Sequence, residues 1–308
     1  MADPQDYTPT DLPSEFEQYD IEPPQMAVGS PGKVGRLRLL FEYDASAEKT
    51  VLREHFSQVP LRVQRTLYLE ESLPSLAYVF LISPSEGVLQ GDRYRMDFTL
   101  RAGAHAHITT QSATKIYSMN ANYATQLVNV DVGEGCYLEY IPDHMIPYHN
   151  ARFYQRVDLK VHDRATVVYS EVITPGRVAR DESFRYDVMA LRTLAVNQDG
   201  RYRIAESMML LPEDGRVRGL GLLSDFDTLG YMFVLTPDRV PALNDTLNDA
   251  LEADPATRAG STILARDSGV AVRVLGHSAE DVLRTIHGTV DLVRKTVLGF
   301  PYSGVHKR

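Results

Sequence analysis

The sequence predicts a mainly β protein of many short, mostly antiparallel strands, closed at its C-terminal end by two α-helices. Three observations lead there. Apolar and polar residues alternate at period two, again and again, from Gly35 to about Thr236, as they do in half-buried strands. Turns containing Gly or Pro separate these stretches, with no helical pattern between them. Helical periodicity appears only after Val240.

The chain opens differently. Residues 1–32 hold seven acids, six of the 17 prolines and no Lys or Arg. This segment accounts for most of the net charge of −9. Low hydrophobicity, like charge and proline leave little apolar surface to fold around, so a disordered, solvated tail is expected over 1–32. Residues 33–308 are then expected to form a single β-rich domain.

In that domain, Tyr94, Met96, Phe98 and Leu100 alternate with Arg95, Asp97, Thr99 and Arg101. The same pattern marks 36–43, 61–70, 76–82, 105–110, 125–132 and 137–141. It continues at 153–161, 166–173, 184–195, 202–211 and 231–235. Turns are expected at 85–87, 102–104, 133–135, 175–176, 199–200 and 213–215. Leu243, Leu247 and Leu251 then make one face of a helix over 240–253, which Asp254-Pro255 ends. Residues 262–265 and 270–275 read as a hairpin. A second helix runs from Ser278, its N-cap with Asp281 three residues on, to a Gly299–Pro301 stop. Its apolar stripe is Val282, Ile286, Val290, Val293 and Val297. An αββα element over about 239–299 is thus expected to close the fold.

Composition excludes several classes of function. An acidic chain lacks the basic footprint of a general nucleic-acid binder or a polybasic membrane-surface protein. Its longest apolar runs, such as 76–82, are far short of the roughly 20 residues that cross a bilayer. The N-terminus has no signal-peptide pattern, so a cytoplasmic protein is expected. The lone Cys136 allows no internal disulfide and no Cys-based zinc site.

Motifs for phosphate binding, an esterase-type nucleophile, metalloprotease zinc and EF-hand calcium are missing. His105 and His107 stand i, i+2 on one strand face, opposite the packed Ala104 and Ala106, so two solvated imidazoles are expected there. His144 and His149 bracket a Pro-containing loop near Asp143 and Glu139, a set with metal-ligand chemistry. Asp92, Glu139, Asp143 and Glu171 fall at strand ends, where two facing carboxylates would suit a hydrolase.

Three segments carry a family resemblance. Gly87-Val88-Leu89-Gln90-Gly91-Asp92 resembles the G-G-V-x-G-G-D loop of urease accessory proteins of the UreD (UreH) type, with Gln90 where that loop has glycine. Thr109-Thr110-Gln111-Ser112-Ala113-Thr114-Lys115-Ile116-Tyr117 is similar to their T-T-x-x-A-T-K-[VF]-Y segment. Tyr137–Asp143 with Ile146–Tyr148 resembles their L-E-[WY]-[LI]-P and I-P-[FY] stretches. Weaker similarities extend the match over roughly 35–299.

The resemblance implies a β-helix-like stack of sheets with two helices and a water-filled tunnel. It implies a non-catalytic scaffold, not an enzyme, that binds the urease apoprotein subunits and UreF, and through UreF the GTPase UreG. Nickel would pass in transit to the urease active site, with no tightly bound cofactor. On that reading Asp92, Glu139, Asp143 and Glu171 are candidate nickel-route acceptors. Ser112 and Thr114 would line the tunnel, and His144 and His149 are weaker candidates. Scattered oxygen donors suit a hydrated Ni²⁺ in passage better than an imidazole–thiolate cage would. The residues alone also admit a carboxylate-based β-rich hydrolase, or a β-rich interaction protein with no metal role.

Overall fold

The computed structural model describes residues 7–21, 32–83 and 87–304. Strands β1 (Val34–Asp44) and β2 (Lys49–Gln58) form an antiparallel ribbon, and a short β3 (Arg62–Val63) follows. The chain then winds through four coils. The first is β4 (Ala77–Ile82), β5 (Gly87–Val88) and β6 (Arg93–Leu100); the second is β7 (His105–Thr110), β8 (Thr114–Ile116) and β9 (Ala124–Val132). The third is β10 (Tyr137–Tyr140), β11 (Met145–Pro147) and β12 (Arg152–Val161). The fourth is β13 (Thr166–Ile173), the small hairpin β14 (Gly176–Arg177) and β15 (Glu182–Ser183), and β16 (Val188–Val196). After β17 (Tyr202–Leu210) and β18 (Thr228–Leu235) come α1 (Val240–Glu252), β19 (Thr257–Ile263), β20 (Gly269–Gly276) and α2 (Ala279–Val297).

Each coil places one long strand in each of two facing sheets. The first sheet has the order β17-β16-β12-β9-β6-β1-β2; the main path of the second is β19-β20-β18-β13-β10-β7-β4-β3. Within the stack the pairings β4–β7–β10–β13 and β6–β9–β12–β16 are all parallel. Ala77, Ala106, Leu138 and Val167 stand in one row, about 30 residues of chain apart, the spacing of a solenoid coil.

The mostly antiparallel expectation is therefore wrong: among the described residues most pairings are parallel. Parallel neighbours ordinarily need a crossover of a dozen or more residues, usually helical. Here the crossover is itself a strand in the opposite sheet, so short turns suffice. Antiparallel pairing is confined to the ends of the stack and the β14–β15 hairpin.

Inward residues of both sheets share one apolar core, among them Leu39, Phe98, Ile108, Val130, Phe153 and Phe233. A second core fills the space between the second sheet and the helices, where Leu243, Leu247, Val282, Ile286 and Val290 are completely buried. Each such aliphatic side chain contributes about 1.5–3 kcal/mol over an exposed one. Ser278 caps α2 as its sequence predicts, its Oγ accepting from Asp281 N at 3.1 Å.

Helix α2 approaches the sheet closely because two strand positions carry no side chain. A Cβ on Gly230 or Gly276 would stand 2.6 or 2.8 Å from a methyl group of Val282. Gly230→Ala is therefore expected to destabilise by about 1–3 kcal/mol through overpacking, read as a lower denaturant midpoint with an unchanged slope.

The tail expectation fails for residues 7–21. A 3-10 turn, Ser14–Tyr19, docks on the outer face of the first sheet and buries Phe16 completely against Tyr123 and Tyr154. The remainder of the expected tail, residues 1–6 and 22–31, lies outside the described residues, as do 84–86 in the expected 85–87 turn. Among the described residues no helix is long and apolar enough to cross a membrane.

Candidate functional site: an interior cavity with a buried carboxylate

The inward faces of the coils are not uniformly apolar. On β9 and β12, Gln126 and Gln155 occupy the inward phase shared with Val128 and Val157, and they stand in register with Tyr94 of β6. Gln126 Nε2 donates to Gln155 Oε1 at 2.8 Å, and Gln155 Nε2 donates to Glu171 Oε1 at 2.8 Å. Tyr169 Oη donates to the same oxygen at 2.9 Å. This amide–carboxyl chain crosses from the first sheet to the second beside a cavity of about 470 Å³. A single water needs only about 10–15 Å³, so the space is far roomier than one water requires.

Asp143, Glu171, Ser112 and Thr114 all line this cavity, together with Gln126 and Gln155. Gln111 and Ser112 are exposed, which puts one end at the surface on the loop after β7. Glu171, Gln155 and Tyr140 are buried and line the inner part. Burial pushes the Glu171 carboxyl up to about 7, although the bonds from Tyr169 and Gln155 favour its charged form. Asp143 N donates to Thr110 Oγ1 at 2.9 Å, which fixes the loop that carries its carboxyl.

The other candidates lie elsewhere. Asp92 is buried, but its carboxylate ties down a turn: it accepts from Lys33 N at 2.8 Å, Leu89 N at 2.9 Å and Tyr94 Oη at 2.6 Å. Positive φ in that loop falls on Gly91, at 74°, and not on Gln90. Gln90 instead accepts from Asn120 N at 3.0 Å and Ala121 N at 3.3 Å, so its side chain anchors the neighbouring coil.

Glu139 faces away from the cavity, toward α2. Arg294 clamps it, Nε to Oε1 at 2.6 Å and Nη2 to Oε2 at 2.7 Å, and Tyr137 Oη donates to Oε1 at 2.7 Å. His107 Nδ1 completes the set 2.5 Å from Oε2. Against its complete burial, which opposes ionisation, the bonds from Arg294 and His107 hold the Glu139 carboxyl down to about 2. Arg294 also bonds Glu70 and Tyr78, and Tyr302 and Ser303 cover the cluster from the C-terminal side. His107 is thus buried, not solvated as its strand position suggests, because a helix covers this face too.

His144 and His149 do not converge. His144 sits in a surface depression with Leu283, Arg284 and His287 of α2. His149 is exposed and faces Ser118 at 3.1 Å and Glu182 at 3.5 Å. Among the described residues no three His, Cys, Asp or Glu side chains are grouped closely enough to hold a metal ion.

Residues 33–305 match the family model described as UreD urease accessory protein. The chain belongs to that family. It is 38% identical over 284 residues to urease accessory protein UreD of Cenarchaeum symbiosum, covering 92% of this chain and 99% of that one. Against urease accessory protein UreD 2 of Brucella suis it is 37% identical over 288 residues, with 92% and 95% covered. Against UreD of Yersinia pseudotuberculosis it is 38% identical over 295 residues, with 92% and 89% covered. The UreD family unit therefore contains the whole coil stack, the cavity and both helices, and begins after the docked segment 7–21.

Proposed function

We propose that this chain is a urease maturation factor: a non-catalytic cytoplasmic scaffold that engages the urease apoprotein together with UreF and, through UreF, UreG. Nickel on its way to the urease active site passes through the interior cavity. Membership of the UreD urease accessory protein family carries the reading, and the polar chain inside the coils supports the route.

The chemistry of the lining suits a passing divalent ion. Asp143 and Glu171 offer carboxylate oxygens, and Gln126, Gln155, Ser112 and Thr114 offer neutral ones. Oxygen donors hold nickel less firmly than thiolates or imidazoles do, so an ion can leave as well as enter. Burial raises the Glu171 carboxyl to about 7, so a cation at the inner end competes there with a proton. Asp92 and Glu139 lie outside this cavity, Asp92 accepting three protein hydrogen bonds and Glu139 four.

The test is co-expression of urease subunits, UreF and UreG with and without this chain, followed by urease activity and bound nickel. Both are expected to depend on the chain; full activity and nickel in its absence would overturn the assignment. Asp143→Asn in the same system is expected to lower urease nickel severalfold while the chain still co-purifies with urease. Unchanged nickel would remove Asp143 from the route.

A further inference from the structure

The segment that docks on the outside of the first sheet has the composition of a ligand and the contacts of one. Residues 7–21 carry Asp11, Glu15, Glu17 and Asp20, no basic residue, and the rings of Tyr7, Phe16 and Tyr19. The surface beneath is complementary. Asp11 accepts from Tyr154 Oη at 2.8 Å and from Arg156 Nη1 at 3.0 Å, and Arg192 bonds both its carboxylate and its backbone carbonyl. Phe16 packs edge-on against Tyr123 at 5.3 Å and Tyr154 at 6.3 Å, and the Arg152 guanidinium lies 4.1 Å above the Tyr19 ring.

One further observation sets this segment apart from the fold proper. It lies outside the UreD unit, which begins at residue 33.

We propose that the outer face around Tyr123, Tyr154, Arg156 and Arg192 is a docking site for an acidic–aromatic segment of a partner protein, and that residues 7–21 mask it in cis. The partner segment presents a carboxylate followed five residues later by an aromatic ring, as Asp11 and Phe16 do. Basic side chains supply the steering and the aromatic pocket supplies the anchor, the division of roles usual at interfaces. Engagement displaces residues 7–21, so the full chain binds more weakly than an unmasked one.

A fluorescent peptide of residues 7–21 tests this by anisotropy against the full chain. The Asp11→Ala/Phe16→Ala double variant, whose mask is weakened, is expected to bind the peptide at least tenfold more tightly than the native chain. Adding Arg156→Ala and Arg192→Ala is expected to abolish that gain, and raising the salt concentration is expected to weaken binding. No saturable binding to the double variant, or binding indifferent to Arg156 and Arg192, would overturn the proposal. So would loss of the fold in both the double variant and Asp11→Asn, which would make the segment part of the core. A native dimer that the peptide dissociates would assign the face to a second copy and overturn the partner version.

Discussion

Arg294→Met is expected to destabilise the protein by about 3–5 kcal/mol, the largest loss of any single substitution considered. The guanidinium is completely buried and bonds Glu139, Glu70 and Tyr78 at once. Removing it strands two carboxylates in the second core, and an uncompensated buried charge costs about that much. Equilibrium denaturation of the native chain and the variant at pH 7 reads the difference, and Glu139→Gln in the Arg294→Met background is expected to restore part of it. The native cluster also has a pH signature. Glu139 ionises near 2 in the folded chain and near its ordinary 4.5 when unfolded. Its contribution is therefore complete above pH 4.5 and is lost as pH falls from there through 2. In Arg294→Met that acid-side loss should largely vanish.

Glu171→Gln is expected to do the opposite to stability while impairing function. The folded carboxyl releases its proton near pH 7 and the unfolded one near 4.5. Between those values only the native state holds the proton, so the native chain loses stability as pH rises through this window and the loss is complete above it. Glutamine has no proton to release and still accepts from Gln155 and Tyr169. The variant should match the native chain at about pH 4 and exceed it at pH 8, by roughly 1–3 kcal/mol on the scale of 1.36 kcal/mol per pKa unit. Denaturant midpoints at the two pH values give the comparison. In the co-expression system the same variant should lower urease nickel, because the inner carboxylate is gone. A more stable protein that matures less urease would separate the role of Glu171 from a structural one.

Much of the architecture is legible in the sequence, because alternation survives wherever one strand face differs from the other. Strand β7 over His105–Thr110 and strand β13 over Thr166–Ile173 have the bounds that the pattern predicts. The αββα order after residue 239 also follows from its stripe, caps and turn. Strand direction is not legible, since the crossover of a parallel solenoid is another strand and each turn looks like a hairpin turn.

The site is harder to read from the sequence for a related reason. The second sheet is covered on both faces, by the first sheet and by the helices, so β10 and β13 are buried along their whole length. Alternation then separates two faces without saying which is the interior. Glu139 and Glu171 look equivalent as strand carboxylates, yet one meets α2 and the other the cavity. Two signals in the sequence point to it. Gln126 and Gln155 are polar residues on otherwise apolar inward strand faces, which marks a polar patch in the interior. Arg294 stands four residues after Val290, on the buried stripe of α2, where a charge requires a buried partner.

The most direct test of the interior route is the nickel content of urease purified from cells that carry an Ala113→Phe chain. Ala113 lines the cavity between Ser112 and Thr114, and a phenyl ring there fills space without touching the carboxylates' charge. The account predicts that the variant still co-purifies with urease, while nickel per active site falls to the level seen with no chain present. Fully loaded urease from those cells would contradict passage through the interior.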